Sequence, residues 1–111
     1  MRAGSYHVIS IENFRKELRT LSKKYPSILE DMQALITDLE ADPIRGSSLG
    51  NGFYKVRLAI ASKKSGKSGG ARVITNIKVI NKTVYLVSIY DKSSKETVTI
   101  KELKDFLRLL P

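Results

Sequence analysis

Lys55 and Arg57 stand two residues apart in FYKVRLAIA (53–61), a run that alternates apolar and polar residues. Strand geometry puts positions i and i+2 on one face, so both cations project together. Arg72 opens a second alternating run, ARVITNIKVI (71–80). Lys63, Lys64 and Lys67 lie in the segment between these runs, and Tyr90 and Lys92 end a third, TVYLVSIY (83–90), and its exit. Neighbouring antiparallel strands would gather these groups on one concave face. Cations fixed on strands hold a phosphate in one geometry better than cations on a tail, and planar arginine suits two-point contact with it.

The stretch KKSGKSGGAR (63–72) raises a rival use of the same residues, a nucleotide-binding P-loop. That loop needs G-x-x-x-x-G-K-[ST] between a strand and a helix. Gly66-Lys67-Ser68 supplies the end of the pattern, but Ala61 stands where the leading glycine belongs. Strand residues follow, so no helix is expected to turn its amides to a phosphate. The stretch reads as a solvated strand-to-strand loop that delivers Arg72.

Other chemistries lack their residues. The chain has no Cys, which excludes a disulfide framework and a thiolate zinc site. Its one histidine, His7, lies in a first strand without a partner motif. Neither a metal-binding H-E-x-x-H nor a nucleophile elbow occurs. No cofactor is expected. MRAGSYHVIS lacks the apolar run of a signal peptide, and no segment reaches the length of a membrane span. A cytoplasmic protein without membrane contact is expected.

The elements that must position the cations are legible in outline. The 111 residues, 41% hydrophobic, suit one small domain over 1–111. SYHVIS (5–10) reads as a strand. In 11–25, Ile11, Phe14, Leu18 and Leu21 recur at helical spacing. Pro26 breaks that helix, and Ser27 with Glu30 forms a capping-box signal for a second. Ile28, Met32, Leu35, Ile36 and Leu39 are its apolar stripe, and Asp42-Pro43 ends it. GSSLGNG (46–52) reads as a loop. Three strands follow, the last two joined by a short Asn81-Lys82 turn. Thr99 and Glu102 repeat the capping box before a final helix, whose apolar face is Leu103, Phe106, Leu107 and Leu110. The order β-α-α-β-β-β-α predicts an α+β fold: an N-terminal strand and helical hairpin packed on a mostly antiparallel sheet, with a C-terminal helix.

Charge is divided unevenly along this plan. The net charge is +9. Residues 1–42 hold six Lys/Arg against seven Asp/Glu, whereas residues 43–111 hold fourteen against four. One-sided basic charge favours a polyanionic partner.

GFYKVRLAIASKKSGKSGGARVI, the hairpin after it, and VYLVSIYDKSSKETVTIKEL together resemble the RelE/ParE superfamily of bacterial type II toxins. Within it they are most similar to the HigB-like branch of RelE-type mRNA interferases, which carries a G-x-x-K-x-R strand, a GKSGGxRVI segment and an I-Y-x-K turn. The resemblance implies a RelE-like fold, growth arrest, neutralisation by a cognate antitoxin, and cleavage of mRNA on the ribosome. It implies metal-free chemistry in which a ribose 2′-OH attacks the adjacent phosphate. Operator DNA would be met only through the antitoxin complex. By the same resemblance Arg57 and Arg72 clamp phosphate, Lys55, Lys92 or Tyr90 moves protons, and Lys63, Lys64 and Lys67 hold RNA. The chain departs from the family in SSKETVT (93–99), which lacks a further arginine and tyrosine found in some members. The carboxylate–histidine arrangement of some HigB enzymes is also missing, since Lys92 follows Asp91. Two other functions remain open: a ParE-like gyrase poison, and a non-catalytic RNA-binding module that would expose Tyr54 or Tyr85 for base stacking.

Overall fold

The computed structural model describes residues 5–63 and 69–111. Strand β1 (His7–Ser10) leads into helices α1 (Glu12–Lys24) and α2 (Ile28–Ala41). Strands β2 (Ser47–Gly50), β3 (Phe53–Leu58), β4 (Ala71–Lys78) and β5 (Thr83–Asp91) follow, and helix α3 (Ile100–Leu109) closes the order. The sheet runs β1-β5-β4-β3-β2. β1 lies parallel to β5, and every other pairing is antiparallel. The α+β fold is therefore the one expected, with a strand more.

That extra strand is β2. Ser47–Gly50 pairs with β3, Ser47 opposite Lys55 and Ser48 opposite Tyr54, where a loop was expected. Serine and glycine have little strand preference, so local composition does not announce it; the edge of β3 supplies the order. Gly46 makes the approach possible. Its φ is +79°, and a Cβ there would lie 2.0 Å from the Lys55 carbonyl oxygen. We expect Gly46→Ala to cost about 2 kcal/mol through the left-handed backbone and the unyielding carbonyl, read as a lowered thermal midpoint.

The helical hairpin forms as its stripes direct. Phe14, Ile28, Met32, Leu35 and Leu39 are buried, and Ile11 joins them. Each such side chain contributes about 1.5–3 kcal/mol when withdrawn from water. The Ser27 capping box is not formed: the Ser27 hydroxyl donates to Asp31 Oδ2 (2.8 Å) and accepts from the Ser62 amide (2.8 Å). The residue ties α2 to the segment after β3 instead of capping its own helix.

At α3 the box does form. The Glu102 amide donates to Thr99 Oγ1 (3.1 Å), and the Thr99 amide donates to Glu102 Oε1 (2.9 Å). Thr99→Ala should lower stability by about 1 kcal/mol, measurable as a shifted denaturant midpoint. Phe106 packs on Phe53 with ring centroids 6.5 Å apart. Leu103 and Leu110 are half-buried, but Leu107 is exposed, so the apolar face is narrower than expected.

β1 covers only half of β5, from Thr83 to Leu86. Beyond it α1 takes over the strand's edge. Asn13 Nδ2 donates to the Val87 carbonyl (2.9 Å), and Glu17 Oε1 accepts from the Ile89 amide (3.2 Å) and the Ser88 hydroxyl (2.7 Å). Spacing of four on a helix places these two side chains on one face.

Between β4 and β5 the connection is longer than Asn81-Lys82. Val79–Asn81 forms a 3-10 turn, and Lys82 closes it with φ +49°. β4 itself ends at Lys78.

Candidate active site: a cationic cleft on the sheet

Register aligns three of the expected residues. Arg57 on β3 stands opposite Arg72 on β4, and Arg72 stands opposite Tyr90 on β5. Directly opposed residues share a face, so these side chains form a row across three strands. Lys55 lies two residues along β3 from the row, on the same face.

Arg57 and Arg72 floor one end of a cleft of about 480 Å³, whereas Tyr90 does not line it. Lys55, Arg57, Arg72 and Lys92 line it together with Arg45 and Glu96. Five cations thus meet one carboxylate, that of Glu96, which lies 3.6 Å from Lys92 Nζ. The segment after β5 makes a wall, where Thr97 Oγ1 accepts from Lys55 Nζ (3.3 Å). Arg72 is 4% exposed although charged, and one of its guanidinium nitrogens donates to the Ala71 carbonyl (3.1 Å). A cation with so little water around it interacts more strongly with an incoming anion.

Tyr90 is buried beside Arg72. Among the described residues its hydroxyl has no partner in hydrogen-bonding geometry. Burial pushes the phenol above its ordinary value, against the opposing pulls of Thr97 and the Arg72 charge. The group therefore keeps its proton at neutral pH. Lys95 Nζ sits 4.9 Å over the ring and also pairs with Glu102 Oε2 at 2.6 Å.

Lys63 turns away from this cleft. Its ammonium donates to Asp91 Oδ1 (2.7 Å), and that bond raises its pKa. Asp91, at the end of β5, also accepts from Tyr25 Oη (2.5 Å) and from the Ser93 amide (3.0 Å) and hydroxyl (2.8 Å). Burial pushes this carboxyl up, but the bonds from Lys63, Tyr25 and Ser93 outweigh it and hold the group well below the usual carboxylate range. Lys64 and Lys67 lie outside the described residues.

Arg45 and Glu96 escaped the sequence reading. Both sit in irregular segments, where no period of two or 3.6 marks a face. The one local cue for Arg45 is its place beside Gly46, just after the Asp42-Pro43 stop. The aromatics a base-stacking module would expose are otherwise engaged: Tyr85 is buried and Tyr54 half-buried.

The comparison that decides kinship is by sequence. Residues 13–110 match the family described as the RelE toxin of the RelE/RelB toxin-antitoxin system. The chain belongs to the RelE toxin family. Solved RelE structures share its fold. An arginine-substituted mutant of E. coli RelE in the free state superposes with a TM-score of 0.63 at 19% identity, covering 96% of this chain and 99% of that one. Isolated E. coli RelE gives 0.56 at 19% identity, over 96% and 100% of the two chains. The toxin-antitoxin complex RelBE2 of Mycobacterium tuberculosis gives 0.56 at 16% identity, over 81% and 94%. Among curated protein sequences none matches significantly. No helix among the described residues is long and apolar enough to cross a membrane.

Proposed function

We propose that this RelE-family toxin is a ribosome-dependent endoribonuclease of the HigB-like branch that cleaves mRNA without a metal. The observation that carries the reading is the pair Arg57–Arg72 set in a cleft with Lys55, Lys92 and Arg45, with Tyr90 next to Arg72 in register. Attack of a ribose 2′-OH on the neighbouring phosphate forms an O2′–P bond and breaks the P–O5′ bond. The pentacoordinate phosphorus group carries extra negative charge on its equatorial oxygens. Arg57 and Arg72, side by side, stabilise that charge, which a fixed donor array does without reorganising. Lys55 or Lys92 takes up the 2′ proton, a step that requires that lysine as the uncharged amine. Tyr90, which keeps its proton, is the donor to the leaving 5′-oxygen once bound RNA brings that oxygen to the phenol beside Arg72. Lys64 and Lys67 steer RNA towards the cleft, while Lys63 is neutralised by Asp91.

A cognate antitoxin is the second partner. A cleft of five cations attracts an acidic segment, which neutralises the toxin by occupying the phosphate position. Any contact with operator DNA would run through that complex.

Primer-extension mapping of mRNA in a purified translation reaction tests the nuclease reading. Cuts at codon-spaced positions that require ribosomes are expected. Intact mRNA alongside active ribosomes would overturn it, and a gyrase supercoiling assay would then test the ParE-like alternative.

A further inference from the structure

A second groove, of about 190 Å³, opens beside the cleft. It lies between α2 and the end of β3, with Asp31, Ala34, Leu35 and Asp38 on one wall and Leu58 and Ala59 on the other. Arg45 and Arg57 line both the groove and the cleft, so the two adjoin at these side chains. A phosphate held by Arg57 can direct its attached nucleoside towards the groove.

The groove's chemistry selects among bases. Small and apolar side chains flank it, which suits a flat ring. Of its four charged groups, Asp31, Asp38, Arg45 and Arg57, the pair Asp38 and Arg45 brings Oδ2 and Nη1 to 3.7 Å. They stand adjacent without a tight hydrogen bond, and Arg45 Nε has no partner among the described residues. A carboxylate only accepts hydrogen bonds, and a guanidinium only donates them. Guanine offers the complement along one edge: N1–H and N2–H donors, then the O6 acceptor. Uracil offers a single N3–H between two carbonyls, one of which must face the carboxylate. Adenine and cytosine each pair their amino donor with a ring-nitrogen acceptor, and so meet the carboxylate at one point. Unpaired bases are read on this edge in single-stranded RNA. Asp31 contributes less, because its Oδ2 already accepts from the Ala61 amide (3.1 Å) and the Ser27 hydroxyl.

We infer that the groove between α2 and β3 is a guanine subsite, in which Asp38 and Arg45 read the base next to a phosphate bound in the cationic cleft. The inference rests on the RNA-cleaving reading for its biological meaning but not for its test.

The test is amide-shift NMR titration of the full chain with inorganic phosphate, 5′-GMP and 5′-UMP. Phosphate alone should perturb cleft residues such as Arg72 and Lys92. GMP should in addition move Ala34, Leu35 and Ala59, and bind at least about fivefold tighter than UMP, the scale of one good base contact. Asp38→Asn should abolish that preference and leave phosphate binding unchanged or tighter, since it frees Arg45. The Asp38 side chain is 54% exposed, so the variant should fold, and its melt checks this. Equal binding of GMP and UMP, or GMP shifts confined to the residues phosphate moves, would overturn the subsite. Primer extension separates the two readings. A wild-type protein that cuts no mRNA yet prefers GMP sinks the nuclease and keeps the subsite; one that cuts while binding GMP and UMP alike does the reverse.

Discussion

Arg72→Ala should reduce ribosome-dependent mRNA cleavage by about a thousandfold, the scale lost when a preorganised charge stabiliser is removed from an active site. The argument is electrostatic. Arg72 is the central member of the row, flanked by Arg57 and Tyr90, and is the most buried charge lining the cleft. Removing it takes away charge at the point where the phosphorane would form. Arg57 on the next strand sits nearer the solvent and cannot replace it. Arg72→Lys should recover only part of the loss, because a point charge cannot bind two oxygens in a fixed fork. Arg57 and Arg72 are like charges on directly opposed strand positions, an arrangement that destabilises a sheet. Relief of that repulsion should offset part of what losing a buried side chain costs, so the alanine variant should stay folded at the assay temperature despite its lost activity. Cleavage measured by primer extension against a parallel thermal melt distinguishes this from simple unfolding. Unchanged cleavage would remove Arg72 from the mechanism.

The largest loss of stability should follow Asp91→Ala. That carboxylate is 6% exposed and joins three parts of the chain: Tyr25 at the end of α1, Lys63 after β3, and Ser93 in the turn beyond β5. Its removal leaves a buried phenol and a largely buried ammonium without their acceptor. Breaking such a pair costs about 3 kcal/mol, or at least about 12 °C in melting temperature for a domain this size. Asp91→Asn keeps the shape and an acceptor and should lose roughly half as much. The same network sets an acid limit. The carboxyl's pKa is lowered in the folded state, so its contribution is complete above the ordinary carboxylate range. It is lost as the unfolded chain begins to bind the proton, from about pH 5 downward. The wild-type melting temperature should fall over that range, and the Asp91→Asn curve should be flatter. It will not be level, because Glu102 is shifted in the same direction by Lys95 and Thr99. A wild-type midpoint constant from pH 6 to 3 would contradict the assignment.

What could be read from the sequence follows from the range of the forces involved. Lys55, Arg57, Arg72 and Lys92 were legible as one group because strand alternation and antiparallel pairing are local rules, and the cleft does bring these four together. The capping box at Thr99 was legible for the same reason. Arg45 was not, because its position depends on Gly46 passing close over β3. β2 was not, because its order comes from a neighbour and not from its own serines and glycines. The Asp91 network joins residues 66 and 28 positions apart, and no spacing in the chain points to it. Ser27 shows the opposite failure: a true local signal was diverted when Asp31 and Ser62 offered the hydroxyl better partners.

The side chains of Asn13 and Glu17 stand in for a strand that is not there. A bare strand edge is a template on which a second chain can add its own. With β1's pairing ending at Leu86, the half of β5 nearest the cleft would present such a template, in a strand whose residues are all buried. Two side chains on a helix close it, and they do so without adding residues that could themselves be paired. Loss of Glu17 would thus be felt less in how tightly one molecule folds than in how long many of them stay apart in solution.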